Sequence, residues 1–121
     1  MVTDARTVLD RAQLSEVTLD DETLMREILT ALIEDTARQL PLIQAAIGRK
    51  DPQATRKLAH YSKGACANAG ARSAAAALEK IERMAAENNF EECSESLGRL
   101  AQAVDQLRAE KVPEADPLAG R

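Results

Sequence analysis

Apolar positions recur along this chain at spacings of three and four, the period of helices that pack along one face. Val8, Leu9, Ala12 and Leu14 mark a short capping turn or helix over Thr7 to Leu14. Asp20 and Asp21 then offer an N-cap to a long helix with apolar positions Met25, Leu29, Leu32, Thr36, Leu40, Ile43 and Ile47. Pro41 interrupts that pattern; it removes a backbone hydrogen bond and crowds the preceding turn, so a kink is expected near Ala37 to Leu40. The helix is expected to stop at Gly48, with Arg49 and Lys50 near its negative end.

Asp51-Pro52 restarts the pattern, an acidic cap followed by proline at the first helical position. Read at about 100° per residue, the helix that follows gathers Ala54, Leu58, Ser62, Ala65 and Ala69 on its packing face, with Tyr61 at the edge. It is expected to end near Gly70. Ser73 is the expected cap of a further helix, Ala74 to Glu87, with inner stripe Ala74, Leu78, Ile81 and Ala85. Asn88-Asn89 forms a turn, and Glu91 and Glu92 suit the first turn of a last helix lined by Cys93, Leu97, Leu100, Val104 and Leu107. Gly98 is its weak point. From Val112 onward the periodicity is gone.

Four amphipathic helices joined by short links predict an all-α fold, an up-and-down antiparallel four-helix bundle with a short N-terminal capping helix. The domain is expected over residues 1–111, followed by a disordered tail over 112–121. Short links make sequential helices neighbours, so the second and third long helices run antiparallel with His60 and Glu82 at comparable heights.

Composition supports this reading. The 121 residues suffice for one domain with a modest core. Apolar residues make up 45% but aromatics only 2%, so the core is built of Ala, Leu, Ile and Val, which favours close-packed helices over a sheet. A formal charge of −4 argues against nucleic acid or an anionic membrane as the main partner. No apolar run is long enough to cross a bilayer, and the first residues lack a signal-peptide core. Cys66 and Cys93 show no metal or redox spacing and read as small buried residues of a reducing cytosol, which places the protein in the cytoplasm.

The candidate chemistry centres on His60, the sole histidine. It points away from the packing face, with Arg56, Lys63, Gly64 and Ala67 as its helical neighbours. An accessible imidazole is a good nucleophile near neutral pH. Lys63 and Arg56 would stabilise a dianionic group on it. Gly64 costs a helix interior about 1 kcal/mol relative to alanine, which suggests that something must approach the backbone there. A phosphoryl group delivered by another protein fits all three observations. A zinc site does not, since zinc takes about four ligands and no second histidine exists.

His60-x-x-Lys63-Gly64 followed by Asn68-Ala-Gly70-Ala resembles the signature of histidine phosphotransfer (Hpt) domains of bacterial two-component phosphorelays. In that family an acidic or amide residue, twenty-two positions after the histidine and preceded by an aliphatic one, hydrogen-bonds the ring nitrogen that is not phosphorylated; here these are Glu82 and Ile81. The similarity spans Leu9 to Leu107. It departs at Ser62, where the family has a large aliphatic residue, which weakens one core contact.

The resemblance implies a phosphoryl carrier, not an enzyme. His60 would accept the phosphoryl group through Nε2, Glu82 would orient the imidazole (Glu79, one turn earlier, is the alternative), and Lys63 would stabilise phosphoryl charge. Gly64, Arg56, Lys57, Ala67 and Ala71 would meet the partner. No cofactor or metal is expected on this chain, with Mg²⁺ belonging to the partner. The implied partners are response-regulator receiver domains and a hybrid sensor histidine kinase, met by a monomer. Two other classes stand beside this one: a helical adaptor that binds receivers without accepting phosphate, and the phosphoacceptor module of a kinase. The chain has no room for an ATP-binding domain of its own.

Overall fold

A computed structural model describes residues 7–110 of the chain; the expected tail over 112–121 lies outside them. The described residues form five helices: α1 (Arg11–Val17), α2 (Glu22–Gly48), α3 (Pro52–Ala69), α4 (Arg72–Ala86) and α5 (Phe90–Ala109). The helices α2 to α5 form a ring in which each packs on its sequence neighbours and α5 closes against α2. The short α1 lies against α2 and α3. This is the expected four-helix bundle with its N-terminal cap, although the cap helix begins at Arg11 rather than Thr7.

Side-chain caps begin four of the five helices. The carboxylates of Asp10, Asp21 and Asp51 accept the backbone N–H groups of Gln13, Leu24 and Ala54 at 3.1, 3.0 and 3.1 Å. The Asn89 amide oxygen accepts the N–H of Glu92 at 3.2 Å. Each cap satisfies one of the amides that a helix start leaves without a partner.

One closure serves all four corners. The N–H groups of Asp20, Asp51, Ala71 and Asn89 donate to the carbonyls of Ser15, Ala46, Cys66 and Met84, five residues back, at 2.8 to 3.0 Å. The residue before each donor has a left-handed backbone: Leu19, Lys50, Gly70 and Asn88. Only one of these is glycine. Gly48 is the last residue of α2, as expected, but the left-handed position that turns the chain falls on Lys50, at φ 53°.

Gly70 has a second reason to be glycine. The Asp10 N–H donates to its carbonyl at 2.7 Å, and a Cβ at residue 70 would lie 2.7 Å from the Asp10 carbonyl oxygen. The arm formed by residues 7–10 therefore lies directly on the α3–α4 corner. Its Thr7 carbonyl accepts the N–H of Ser73 at 2.8 Å. That contact replaces the side-chain cap expected from Ser73: α4 starts one residue before it, its N-cap position is Ala71, and the Ser73 hydroxyl is buried without a partner. Gln13 adds to the clamp by donating to the Ala67 carbonyl at 2.6 Å, while Arg72 donates to the side chains of Gln13 and Asp10.

The core is built from Leu14, Leu29, Leu32, Ile43, Leu78, Ile81, Leu100 and Leu107 with a large share of alanine. The stripes expected for α2, α4 and α5 are buried or packed against the core. On α3 the buried stripe is Thr55, Ala59, Ser62, Cys66 and Ala69, rotated from the expected one; Ala54, Leu58 and Ala65 are only half-buried, and Tyr61 is exposed. The reason lies in its two neighbours. The α3–α4 contact is the most extensive in the bundle, while on the other side Cys66 meets Thr36 of α2 and Ala65 borders a depression with Ile28, Ala31 and Leu32 of α2. Pro41 sits on an exposed position within an α2 that continues as helix to Gly48. Ser62 is buried, and its hydroxyl has no partner.

Candidate functional site

His60 stands near the middle of α3, opposite the buried stripe, with its side chain 70% exposed. The helical period brings Arg56, Lys63 and Gly64 beside it. The antiparallel α4 brings Glu82, whose backbone is fixed by the fully buried Ile81 and Leu78 on the same helix. His60 Nδ1 lies 2.8 Å from Glu82 Oε2, and Lys63 Nζ donates to Glu82 Oε1 at 2.6 Å. One carboxylate thus bridges the imidazole and the ammonium.

The protonation states follow from these contacts. Partial burial alone would raise the Glu82 carboxyl, but the hydrogen bonds from Lys63 and His60 outweigh it and hold the carboxyl below its ordinary value. An ionised carboxylate can only accept, so Nδ1 carries the proton and donates it. In the neutral ring the lone pair then resides on Nε2, the nitrogen that Glu82 does not engage. The site offers a nucleophilic nitrogen with a fixed tautomer.

Around the ring lies a shallow depression of about 500 Å³, lined by Gln53, Arg56, Lys57, His60, Tyr61 and Glu82. Tyr61, placed at the edge of the packing face by periodicity, is instead 60% exposed and borders this depression. Its signal in the sequence is its place next to His60, about 100° around the helix. Gly64 lies in the open: a Cβ there would meet nothing within 4 Å. No contact inside the chain requires a glycine at that position.

The remaining expected site residues divide. Arg56, Lys57 and Gly64 are exposed on the His60 face. Ala67 is half-buried, with Gln13 bonded to its carbonyl. Ala71 is 0% exposed, so its expected place on a docking surface is corrected: it sits at the α3–α4 corner, where its N–H donates to Cys66. Glu79 faces Arg83 at 3.9 Å and is not paired with His60. Both cysteines are free and buried, and burial raises both thiols, which makes neither a ready nucleophile. Among the described residues no cluster of His, Cys, Asp or Glu could hold a metal ion, and no helix is long and apolar enough to cross a membrane.

A family model described as Hpt domain matches residues 27–110. Among solved structures, the chain is similar to the crystal structure of histidine-containing phosphotransfer protein B (HptB) from Pseudomonas aeruginosa PAO1, with a TM-score of 0.78 at 23% identity over 86% of this chain and 90% of that one. At that identity the likeness speaks to the fold. No curated protein matches.

Proposed function

The chain belongs to the Hpt domain family, and on that premise we propose that it carries phosphoryl groups on His60 between receiver domains of a two-component phosphorelay. The observation that supports this most is the exposed imidazole whose Nδ1 is held 2.8 Å from Glu82, leaving Nε2 as the free nucleophile.

In the proposed step the Nε2 lone pair attacks the phosphorus of an aspartyl phosphate on the partner. The N–P bond forms as the P–O bond to the acyl oxygen breaks, and the aspartate leaves as a carboxylate. Glu82 keeps the Nδ1 proton in place and stabilises the positive charge that builds on the ring. Lys63, one turn from His60, supplies positive charge near the arriving phosphoryl oxygens. Gly64 leaves room for the partner to come close to the helix. Onward transfer is the same step reversed on a second receiver. A divalent cation, proposed to be Mg²⁺ and held by the receiver partner rather than by this chain, would neutralise charge on the phosphoryl oxygens.

The proposed donors and acceptors are the receiver domain of a hybrid sensor histidine kinase and that of a response regulator. Arg56, Lys57, Gly64 and Ala67 are the proposed contact residues. The protein is proposed to act as a cytoplasmic monomer, without nucleotide hydrolysis of its own.

The test is phosphotransfer from phosphorylated receiver domains of the same genome to the wild type and to His60→Gln. Acid-labile, base-stable label on the wild type alone supports the reading. Receiver binding without label on either protein would overturn it in favour of a helical adaptor.

A further inference from the structure

The cations of this chain are distributed unevenly between paired and unpaired positions. Arg11, Arg38, Lys63, Arg72, Lys80, Arg83, Arg99 and Arg108 each face a carboxylate within 4.0 Å. Arg26 is engaged as well. Among the described residues the cations without an ion-pair partner are Arg49, Lys50, Arg56 and Lys57, all exposed. They fall within nine consecutive positions, at the corner where α2 ends and α3 begins. The one carboxylate in that stretch, Asp51, is occupied as the cap of α3.

This patch stands out against a chain of net charge −4. Negative side chains crowd the first half of α2 instead, at Glu22, Glu27 and Glu34. The exposed acids at the same end of the bundle, Glu87 and Glu91, stand at the α4–α5 corner. The negative end of α2 and the positive end of α3 meet at the corner, so their dipoles largely offset and the side chains set the sign. Arg56 lies four residues, about 6 Å along the axis, from His60. Beyond His60 in the other direction the exposed face offers Gly64 and Asn68, which carry no charge.

Four long cations left unsatisfied on one side of a reactive residue repel one another unless a partner supplies the counter-charge. Resting on the proposed phosphoryl transfer, the partner's chemistry can be stated: a site that holds an acyl phosphate and a divalent cation needs several carboxylates, so its border is acidic. We infer that Arg49, Lys50, Arg56 and Lys57 form an electrostatic docking site for that acidic protein surface. The site steers the partner to His60 and fixes its orientation, with the acidic border over the α2–α3 corner and its less charged side over Gly64 and Asn68. Such complementarity acts on encounter rate and register more than on the bond-making step.

The experiment measures the second-order rate of transfer from a phosphorylated receiver domain between roughly 0.01 and 1 M salt, where the screening length falls from about 30 to about 3 Å. For the wild type the rate is expected to fall steeply with salt; a flat profile overturns the inference without any variant. Arg49→Gln/Lys50→Asn, which keeps a residue tolerant of the left-handed backbone at 50, is expected to lower the low-salt rate about tenfold and to flatten the profile. Labelling of His60 by phosphoramidate, a small donor with no acidic border, is expected to be unchanged. A double variant with the wild-type rate and salt profile overturns the docking site but leaves the phosphoryl carrier standing. A wild type labelled by phosphoramidate and by no receiver overturns both.

Discussion

His60 and Glu82 sit on separate antiparallel helices, yet their side chains meet at 2.8 Å through the one ring nitrogen that leaves the other free. Removing this contact should affect reactivity before stability. Glu82→Ala is expected to slow phosphoryl transfer by about 10–100-fold, the equivalent of a hydrogen bond to a charged group worth about 1.5–3 kcal/mol. Single-turnover transfer kinetics check this, with circular dichroism confirming the helical fold.

The same carboxylate makes a pH signature. Its value is lowered in the native state from the ordinary 4.5, so its contribution to stability is fully present above that value and is lost as pH falls through the lower native one. Denaturation of the wild type and Glu82→Gln should differ at neutral pH. The difference should vanish at a pH below the native value. A constant difference across that range would show that the bridge to Lys63 and His60 is not its origin.

Gly70 should tolerate no side chain. Its backbone is left-handed at φ 84°, and a Cβ would press on the Asp10 carbonyl. Gly70→Ala is expected to cost about 1–3 kcal/mol, read as a fall in denaturation midpoint. The change should also release the arm from the α3–α4 corner, so exchange of the Ser73 amide with deuterium should quicken.

Ser62 carries a buried hydroxyl without a partner on the helix that holds His60. Ser62→Ala removes that polar atom and adds the best helix former. The expected gain is about 1 kcal/mol, seen in urea unfolding, with transfer activity unchanged.

Pro41 lacks the N–H that would bond to Ala37 within α2. Pro41→Ala restores it and should stabilise by about 2 kcal/mol, the helix-interior cost of about 3 reduced by about 1 for the freer unfolded chain. A lower melting temperature in the variant would mean that α2 has adapted around the proline.

The elements that could be read in the sequence are those governed by near neighbours. Asp21 and Asp51 cap helices because a short polar side chain precedes an apolar period, and both do so in the structure; Asn89, read from the sequence only as part of a turn, caps α5 as well. His60 was legible as an outward residue for the same reason. Glu82 was not legible from periodicity alone; it came from the family resemblance together with the antiparallel order of α3 and α4. The failures are non-local. Ser73 is displaced as a cap by the carbonyl of Thr7, and Ala71 is covered at the corner that this arm closes. The packing face of α3 rotates because two helices of unequal closeness compete for it, which no single-helix period contains.

The arm on the α3–α4 corner also has a consequence for the order of synthesis. Thr7 and Asp10 leave the ribosome well before Ser73 and Gly70, so their hydrogen-bond partners do not yet exist when they emerge. The helix that bears His60 is complete before the arm can dock. The oldest piece of the described chain is therefore bound to be a late arrival in the fold, a clasp that fastens only when the corner beneath it has been made.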